Sequence, residues 1–255
     1  VLFRGNAEYD IRKEIIEKHY IKGIIGLPPN IFFGTGIPAS IIIIDKKNKD
    51  NRKGIFVIDA KDGFTKDGAK NRLREQDIKR IVDAWDAQHA IPHYCRLVEW
   101  SEIEKNDYNL NISRYIQPID SEIQHDIEAH LHGGLPATDV ENMETFWKAC
   151  PTLKDKLFRN ANNRYYSLKP KKEEVNDVID NDSSYKAQGE AFAKVLNGWK
   201  EDVEPKMMAI NQGVHPKELI ADWSESLLAK TMEHSGLVDA YDTYDVLLNY
   251  WADTM

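Results

Sequence analysis

The 255-residue chain contains only two cysteines, Cys95 and Cys150, far apart and in no C-x-x-C pair. That excludes a disulfide framework and a cysteine zinc site, and it fits a reducing cytoplasm. Long hydrophobic runs are also missing. The longest, Ser40-Ile41-Ile42-Ile43-Ile44, falls far short of the about 20 residues that span a bilayer. No basic, apolar, small-residue leader opens the chain. Excess positive charge is absent too: 34 Lys and Arg face 42 Asp and Glu, a formal net charge of −8. A dedicated nucleic-acid binder is usually basic, so any role on DNA is expected to rest on a local patch or on partner subunits. No G-x-S-x-G elbow supplies a hydrolase nucleophile.

What is present reads as an ordinary globular protein, with 42% hydrophobic and 30% charged residues. The first 60 residues alternate between strand and helix. Val1–Phe3 reads as the stub of a strand, and 6–19 as a helix with Ile11, Ile15, Ile16 and His19 on one face. Ile21–Leu27 is short and β-branched, hence a strand, stopped by Pro28-Pro29-Asn30. Ala39–Asp45 is so continuously apolar that burial on both faces is expected, as in the middle of a covered sheet. Gly54–Ala60 is a further strand, 75–88 a helix carrying Ile78, Ile81, Val82 and Trp85, and His93–Val98 an apolar strand in which Cys95 is core.

From about residue 117 strand candidates vanish and helical stripes take over: Phe192, Val195, Leu196 and Trp199; Leu219, Ile220, Trp223 and Leu227; Leu237, Tyr241, Tyr244, Leu248 and Trp251. The three tryptophans read as core. The polar stretch 169–184 reads as a linker or exposed excursion. The segment 130–136 reads as a loop in which His130 and His132 lack a third ligand, so no metal site is expected. Asp45, Asp59 and Lys61 spell a nuclease-like acid…D-x-K pattern. Each acid ends a strand, and either plausible strand arrangement keeps the carboxylates ~10–13 Å apart, too far to share a metal. Basic pairs at 72–74, 79–80 and 169–172 read as solvated surface.

The blocks Val1-Leu2-Phe3-Arg4-Gly5, Glu8, Ile11-Arg12, Ile24–Pro28, Ile31-Phe32-Phe33-Gly34-Thr35-Gly36-Ile37-Pro38, Ile41–Ile44, Ile58-Asp59-Ala60 and Asn109–Ile116 follow one another in an informative order. This string resembles the modification subunits of type I restriction-modification systems, N6-adenine DNA methyltransferases. The resemblance is dense over residues 1–116 and looser to Met255, where Tyr241–Met255 is similar to the tails of long family members.

The resemblance implies an α/β fold: residues 1–116 as the C-terminal part of a Rossmann-like S-adenosylmethionine-dependent methyltransferase sheet, and 117–255 as a mostly α-helical domain. Within the sheet, Val1–Phe3 would end the fifth strand, 6–19 be the crossover helix, Ile21–Leu27 the sixth strand and Ala39–Asp45 the inserted antiparallel seventh. It also implies methyl transfer from S-adenosylmethionine to N6 of adenine in double-stranded DNA, with positioning mattering more than a strong base. Implied partners are a specificity subunit, a restriction subunit, a second modification subunit and DNA.

The family's glycine-rich cofactor loop and its Asn-Pro-Pro-aromatic motif are not matched. Leu27-Pro28-Pro29-Asn30 lacks both the leading Asn or Asp and the trailing aromatic. Gly34-Thr35-Gly36 precedes a strand, so it presents no helix N-terminus to a ligand. Both chain ends read as cut, and the piece is expected to be inactive alone, with no catalytic, cofactor-binding or metal residue. The alternative is a non-catalytic interaction module for a specificity subunit or DNA. One functional position carries over from the resemblance: the aromatic that holds a flipped base falls on Phe32, with Phe33 as second choice. The competing view makes both phenylalanines core plugs; for the pair, one inward and one outward is expected.

Overall fold

The computed structural model describes residues 2–117, 126–211, 213–234 and 236–254. They fall into two compact units, Val1–Glu122 and Ile123–Met255. In the first, α1 (Ala7–Glu17) leads into β1 (Ile21–Gly26), β2 (Ser40–Ile44), β3 (Gly54–Asp59), the short hairpin β4 (Thr65–Asp67) and β5 (Lys70–Arg72), α2 (Glu75–Ala87), β6 (Cys95–Glu99) and α3 (Trp100–Lys105). The four longer strands form a mixed sheet in the order β2-β1-β3-β6. β1 runs parallel to β3, with Gly26 beside Asp59, while β2 and β6 are antiparallel to their neighbours.

Alternation along the strands builds two cores. Ile24, Ile55 and Val57 point to the side covered by Ile16 of α1, Ile103 of α3 and the segment carrying Leu110, Tyr115 and Ile116. Ile25, Phe56 and Ile58 point to the other, covered by Ala84 and Trp85 of α2. β3, flanked by strands and covered by helices, is buried from Gly54 to Ile58. The fit is tight where β3 meets β6 and where β1 meets α2. A Cβ on Gly54 would lie 2.0 Å from the Val98 carbonyl oxygen, and one on Gly23 would lie 2.2 Å from the Trp85 ring. α2 starts where the Asp77 carboxylate accepts the Arg74 backbone N–H and, at 2.9 Å on each oxygen, the Arg74 guanidinium.

Three expectations for this unit need correction. Leu2 and Phe3 form no strand, although the Leu2 carbonyl accepts the Leu110 N–H at 2.9 Å; Val1 lies outside the described residues. β2 is not buried on both faces. It is the edge strand, with Ile41 47% and Ile44 57% exposed. Composition alone signalled two covered faces, but burial requires neighbours, and β2 has a strand on one side only among the described residues. His19 leaves the α1 face altogether, at φ 54° just past the helix, and stacks on Trp100 at 4.3 Å.

The second unit comprises α4 (Ile127–His132), β7 (Leu135–Pro136), α5 (Ala137–Glu141), α6 (Glu144–Ala149), α7 (Leu153–Leu157), β8 (Phe158–Asn162), β9 (Tyr165–Leu168), α8 (Val175–Asp180), α9 (Ser183–Met208), α10 (Pro216–Met232) and α11 (Ala240–Thr254). Strands therefore do not vanish after 117. β7, β9 and β8 make a small antiparallel sheet, missed because two to five residues carry too little periodicity. The 130–136 loop is likewise the end of α4 followed by β7; the side chains of His130 and His132 lie outside the described residues.

The 169–184 stretch is largely exposed, as expected, but it is structured and reaches the interior at one point. It holds a 3-10 turn at Lys172–Glu174, α8 and the fully buried Asp182. Asp182 caps α9 by accepting the backbone N–H groups of Ser184 at 2.8 Å and Tyr185 at 3.0 Å. Its second oxygen accepts Lys156 Nζ at 2.7 Å and the Thr152 hydroxyl at 2.8 Å. Beside it, Cys150, Leu153 and Leu157 form a small apolar cluster with Phe146, Trp147, Val178 and Leu237. Of the three tryptophans expected in the core, only Trp223 is buried, while Trp199 and Trp251 are half-buried. Trp223 is buried with its ring 5.5 Å from Trp251, and Trp199 Nε1 donates to Ser226 Oγ at 3.0 Å.

Candidate nucleic-acid interface

β1 and β3 end side by side, and in an open α/β sheet the crevice at the carboxyl ends of the strands is where ligands bind. From β1 the chain passes through Leu27 and Pro28, both buried, into the loop 29–39. Ile31 packs against the core on the α2 side, which pins the loop and leaves Phe32 and Phe33 beyond the pin. Phe32 is 56% and Phe33 87% exposed, so both phenylalanines face outward and neither plugs the sheet. Gly34 adopts φ 77°, a left-handed conformation that turns the chain immediately after Phe33. The Thr35 hydroxyl then accepts the Ile37 N–H at 3.1 Å, shaping the return to β2.

The hairpin β4–β5 lies against this loop. Asn71 ties the two together: its backbone N–H donates to the Asn30 carbonyl at 3.0 Å and its side-chain amide donates to the Pro29 carbonyl at 2.8 Å. One residue earlier, the Lys70 ammonium sits over the Phe33 ring. Such a contact at an exposed site is worth about 0.5–1 kcal/mol. The hairpin presents Lys66, Lys70 and Arg72, of which Arg72 faces Asp67 at 3.8 Å. Sequence reasoning missed this element, although Asp67-Gly68 between two short polar runs is a hairpin signal and Gly68 has the φ of 62° that such turns use.

Other candidates separate. Asp45 and Asp59 lie at opposite ends of the sheet, because β2 runs against β1 while β3 runs with it: Ile44 pairs with Ile21, Asp59 with Gly26. Asp45 Oδ2 takes Arg52 at 3.4 Å and Asp59 takes Lys61 at 2.9 Å. The nuclease pattern is thus two local ion pairs, and no cluster of three metal-ligating side chains occurs among the described residues. The basic pairs are also matched locally, Arg74 with Asp77 and Lys79 with Asp83. Cys95 is buried, its Sγ donating to the His89 carbonyl at 3.3 Å, and burial pushes its thiol pKa up, so it is packing and not a nucleophile. Beside it, an opening of about 570 Å³ is lined in part by His93, Arg96, Glu102 and Tyr115. There Arg96 and Glu102 already satisfy each other, at 2.9 and 2.6 Å, and desolvation pushes the Tyr115 hydroxyl up to about 12.

The mixed α/β unit thus carries outward aromatics and a lysine beside the carboxyl ends of its parallel strands, where open α/β sheets bind ligands. Comparison with known proteins narrows the class: residues 1–124 match the N-6 DNA Methylase family model. The type I restriction enzyme MjaVII methylase subunit of Methanocaldococcus jannaschii is 40% identical over 134 residues, covering 51% of this chain and 23% of that protein. The MpnII methylase subunit of Mycoplasma pneumoniae is 30% identical over 132 residues, covering 52% and 24%. The chain thus spans about a quarter of the length of these curated relatives. A crystal structure of a type I restriction-modification methyltransferase subunit from Streptococcus thermophilus is 42% identical, with a TM-score of 0.43 over 46% of this chain and 24% of that one. Among the described residues no helix is long and apolar enough to cross a membrane.

Proposed function

We propose that the chain is the C-terminal part of a modification subunit that methylates N6 of adenine in double-stranded DNA with S-adenosylmethionine, in the cytoplasm. Residues 1–116 would continue a Rossmann-like methyltransferase sheet, and 117–255 would form the helical domain. The exposed edge of β2 supports this, since an antiparallel strand bearing uncovered isoleucines invites a further strand on its free side. The specificity subunit, the restriction subunit and a second modification subunit would be the partners, with the helical domain as the contact region.

The observation that carries the functional reading is the outward pair Phe32 and Phe33, at the carboxyl end of β1 in the unit that matches the family. An enzyme acting on a base must take it out of the stack and hold it, and an exposed ring at a strand end offers the face to do so. The adenine amine is the nucleophile, so the contribution of these residues is orientation.

The cofactor does not fit the residues present. Gly34-Thr35-Gly36 leads into β2 and not into a helix, so its backbone N–H groups form no helix terminus for the cofactor. No step is therefore assigned to S-adenosylmethionine within this chain, and by itself the chain would act as a DNA- or subunit-binding module. Two measurements test the reading. Titration of the chain with S-adenosylmethionine in a calorimeter should give no binding heat, and clear binding would move the cofactor site into this chain. In the full-length subunit, Phe33→Ala or Phe32→Ala should slow adenine methylation about 10- to 100-fold, the equivalent of about 1–3 kcal/mol of lost stacking. Wild-type rates in both variants would remove the base-holding role.

A further inference from the structure

The hairpin β4–β5 has no part in the base-holding role assigned to Phe32 and Phe33, yet it is built onto the same loop. Asn71 fastens it through two carbonyls, Asn30 by its backbone N–H and Pro29 by its side-chain amide, so its position relative to Phe33 is set by these bonds and not by the flexible lysines it carries. Lys70 and Asn71 are consecutive on β5 and face opposite ways: Asn71 is buried toward the loop, and Lys70 reaches the Phe33 ring. The ammonium therefore rests on the very surface that a stacked base would need.

That rest position is a weak one. Phe33 is 87% exposed, and a water-exposed ring holds a hydrated ammonium only loosely. A phosphodiester oxygen offers the same ammonium a charge-assisted hydrogen bond and releases condensed counterions, which is a much stronger claim on it. A base stacked on an aromatic brings its own flanking phosphates along, within reach of a lysine side chain anchored beside that ring.

We propose that the β4–β5 hairpin is a phosphate-backbone contact of the interface, and that Lys70 passes from the Phe33 ring to a DNA phosphate when a base takes its place. The inference rests on the reading of Phe33 as the base-holding face, and it adds a residue and a charge exchange that the resemblance did not assign. In the free protein Lys70 rests against the ring; in the complex it neutralises backbone next to the extruded nucleotide. Lys66 pairs with Asn71 and so lies on the other face of the hairpin, while Asp67 pairs with Lys70, which leaves Lys70 as the cation beside the ring.

The test uses the 255-residue chain and a DNA duplex carrying 2-aminopurine opposite an abasic site, which lowers the cost of extruding the base. Anisotropy gives affinity across a salt series, and 2-aminopurine fluorescence reports stacking. Lys70→Met keeps the apolar stem and removes the charge; its plot of log affinity against log salt should be shallower by about one, as expected for one lost phosphate contact. Phe33→Leu should keep the wild-type slope and lose the stacking signal.

An unchanged slope in Lys70→Met, or no binding by the wild-type chain at low salt, overturns the proposal. A shallower slope in Lys70→Met together with a wild-type stacking signal in Phe33→Leu would keep the hairpin contact and remove the base-holding reading beneath it. Circular dichroism checks that each variant is folded. Should Lys70→Met fail to fold, Lys70→Gln removes the same charge with a polar side chain, a shallower slope supporting the proposal and an unchanged slope counting against it.

Discussion

The two units reach a folded state by different means. In the first, one strand does most of the organising: β3 lies between β1 and β6, and its residues alternate between two apolar cores. In the second, several short helices and a three-stranded sheet meet around a small cluster at Cys150, Leu153 and Leu157, next to a fully buried carboxylate whose four hydrogen-bonding partners come from α9, the start of α7 and α7 itself. The first unit is held mainly by shape and apolar area, with its ion pairs at the margins. The second depends in addition on a polar node whose carboxylate is fully buried.

Substitution can break this contrast or sharpen it. The largest effect is expected from Phe56→Ala on β3, where the ring is 1% exposed and meets Trp85 edge-on at 6.3 Å. Truncation should cost about 3–5 kcal/mol, read as a lowered denaturant midpoint of the first unit. Leu153→Ala should cost the second unit toward the lower end of about 2–5 kcal/mol, because its cluster is smaller and has short elements that can close in. If the two variants lose equal stability, the contrast in core organisation fails.

A third variant addresses the polar node. Lys156, Ser184 and Thr152 hold the Asp182 carboxyl well below the ordinary carboxylate range, the Lys156 contact being the largest cause. A carboxyl whose pKa is lower folded than unfolded contributes stability that is complete above its unfolded value and fades as pH falls toward the folded one. The second unit should therefore lose stability on acidification through and below the normal Asp range. Asp182→Asn should lower stability at neutral pH, since the amide nitrogen would face the donors of Lys156 and Thr152, and it should flatten the acid limb by up to about one proton. A melting series from neutral to acid pH on both proteins decides it, and superimposable acid limbs would remove Asp182 as the source.

How much of this was legible in the sequence follows the same division. α1 and α2 were readable because each repeats the helical period long enough to be counted, and β1 and β3 because they are short β-branched runs bounded by polar or proline breaks. Residues 169–184 were not: Lys, Glu and Asp there look solvated, and only the three-dimensional arrival of Lys156 and Thr152 makes Asp182 an interior residue. At the interface, Phe32 and Phe33 were singled out through the family resemblance, while their joint exposure depends on Ile31 anchoring the loop, a fact of packing. Lys70 was beyond reach for a related reason, because its meeting with Phe33 is set by Asn71 hydrogen bonds that bridge about forty residues of sequence.

The smallest expected effect concerns β2, whose sequence resembles that of β3 and whose surroundings do not. Ile41 and Ile44 are exposed, so Ile41→Thr and Ile44→Thr, which keep β-branching and remove little buried area, should shift stability by no more than about 0.5 kcal/mol. The double variant should also associate less than the wild type at high concentration, since an apolar edge strand is a template for pairing with another chain. Light scattering beside a denaturant titration reads both. A loss of several kcal/mol would mean that something covers β2 in solution, and the open edge that supports a continued methyltransferase sheet would have to be given up.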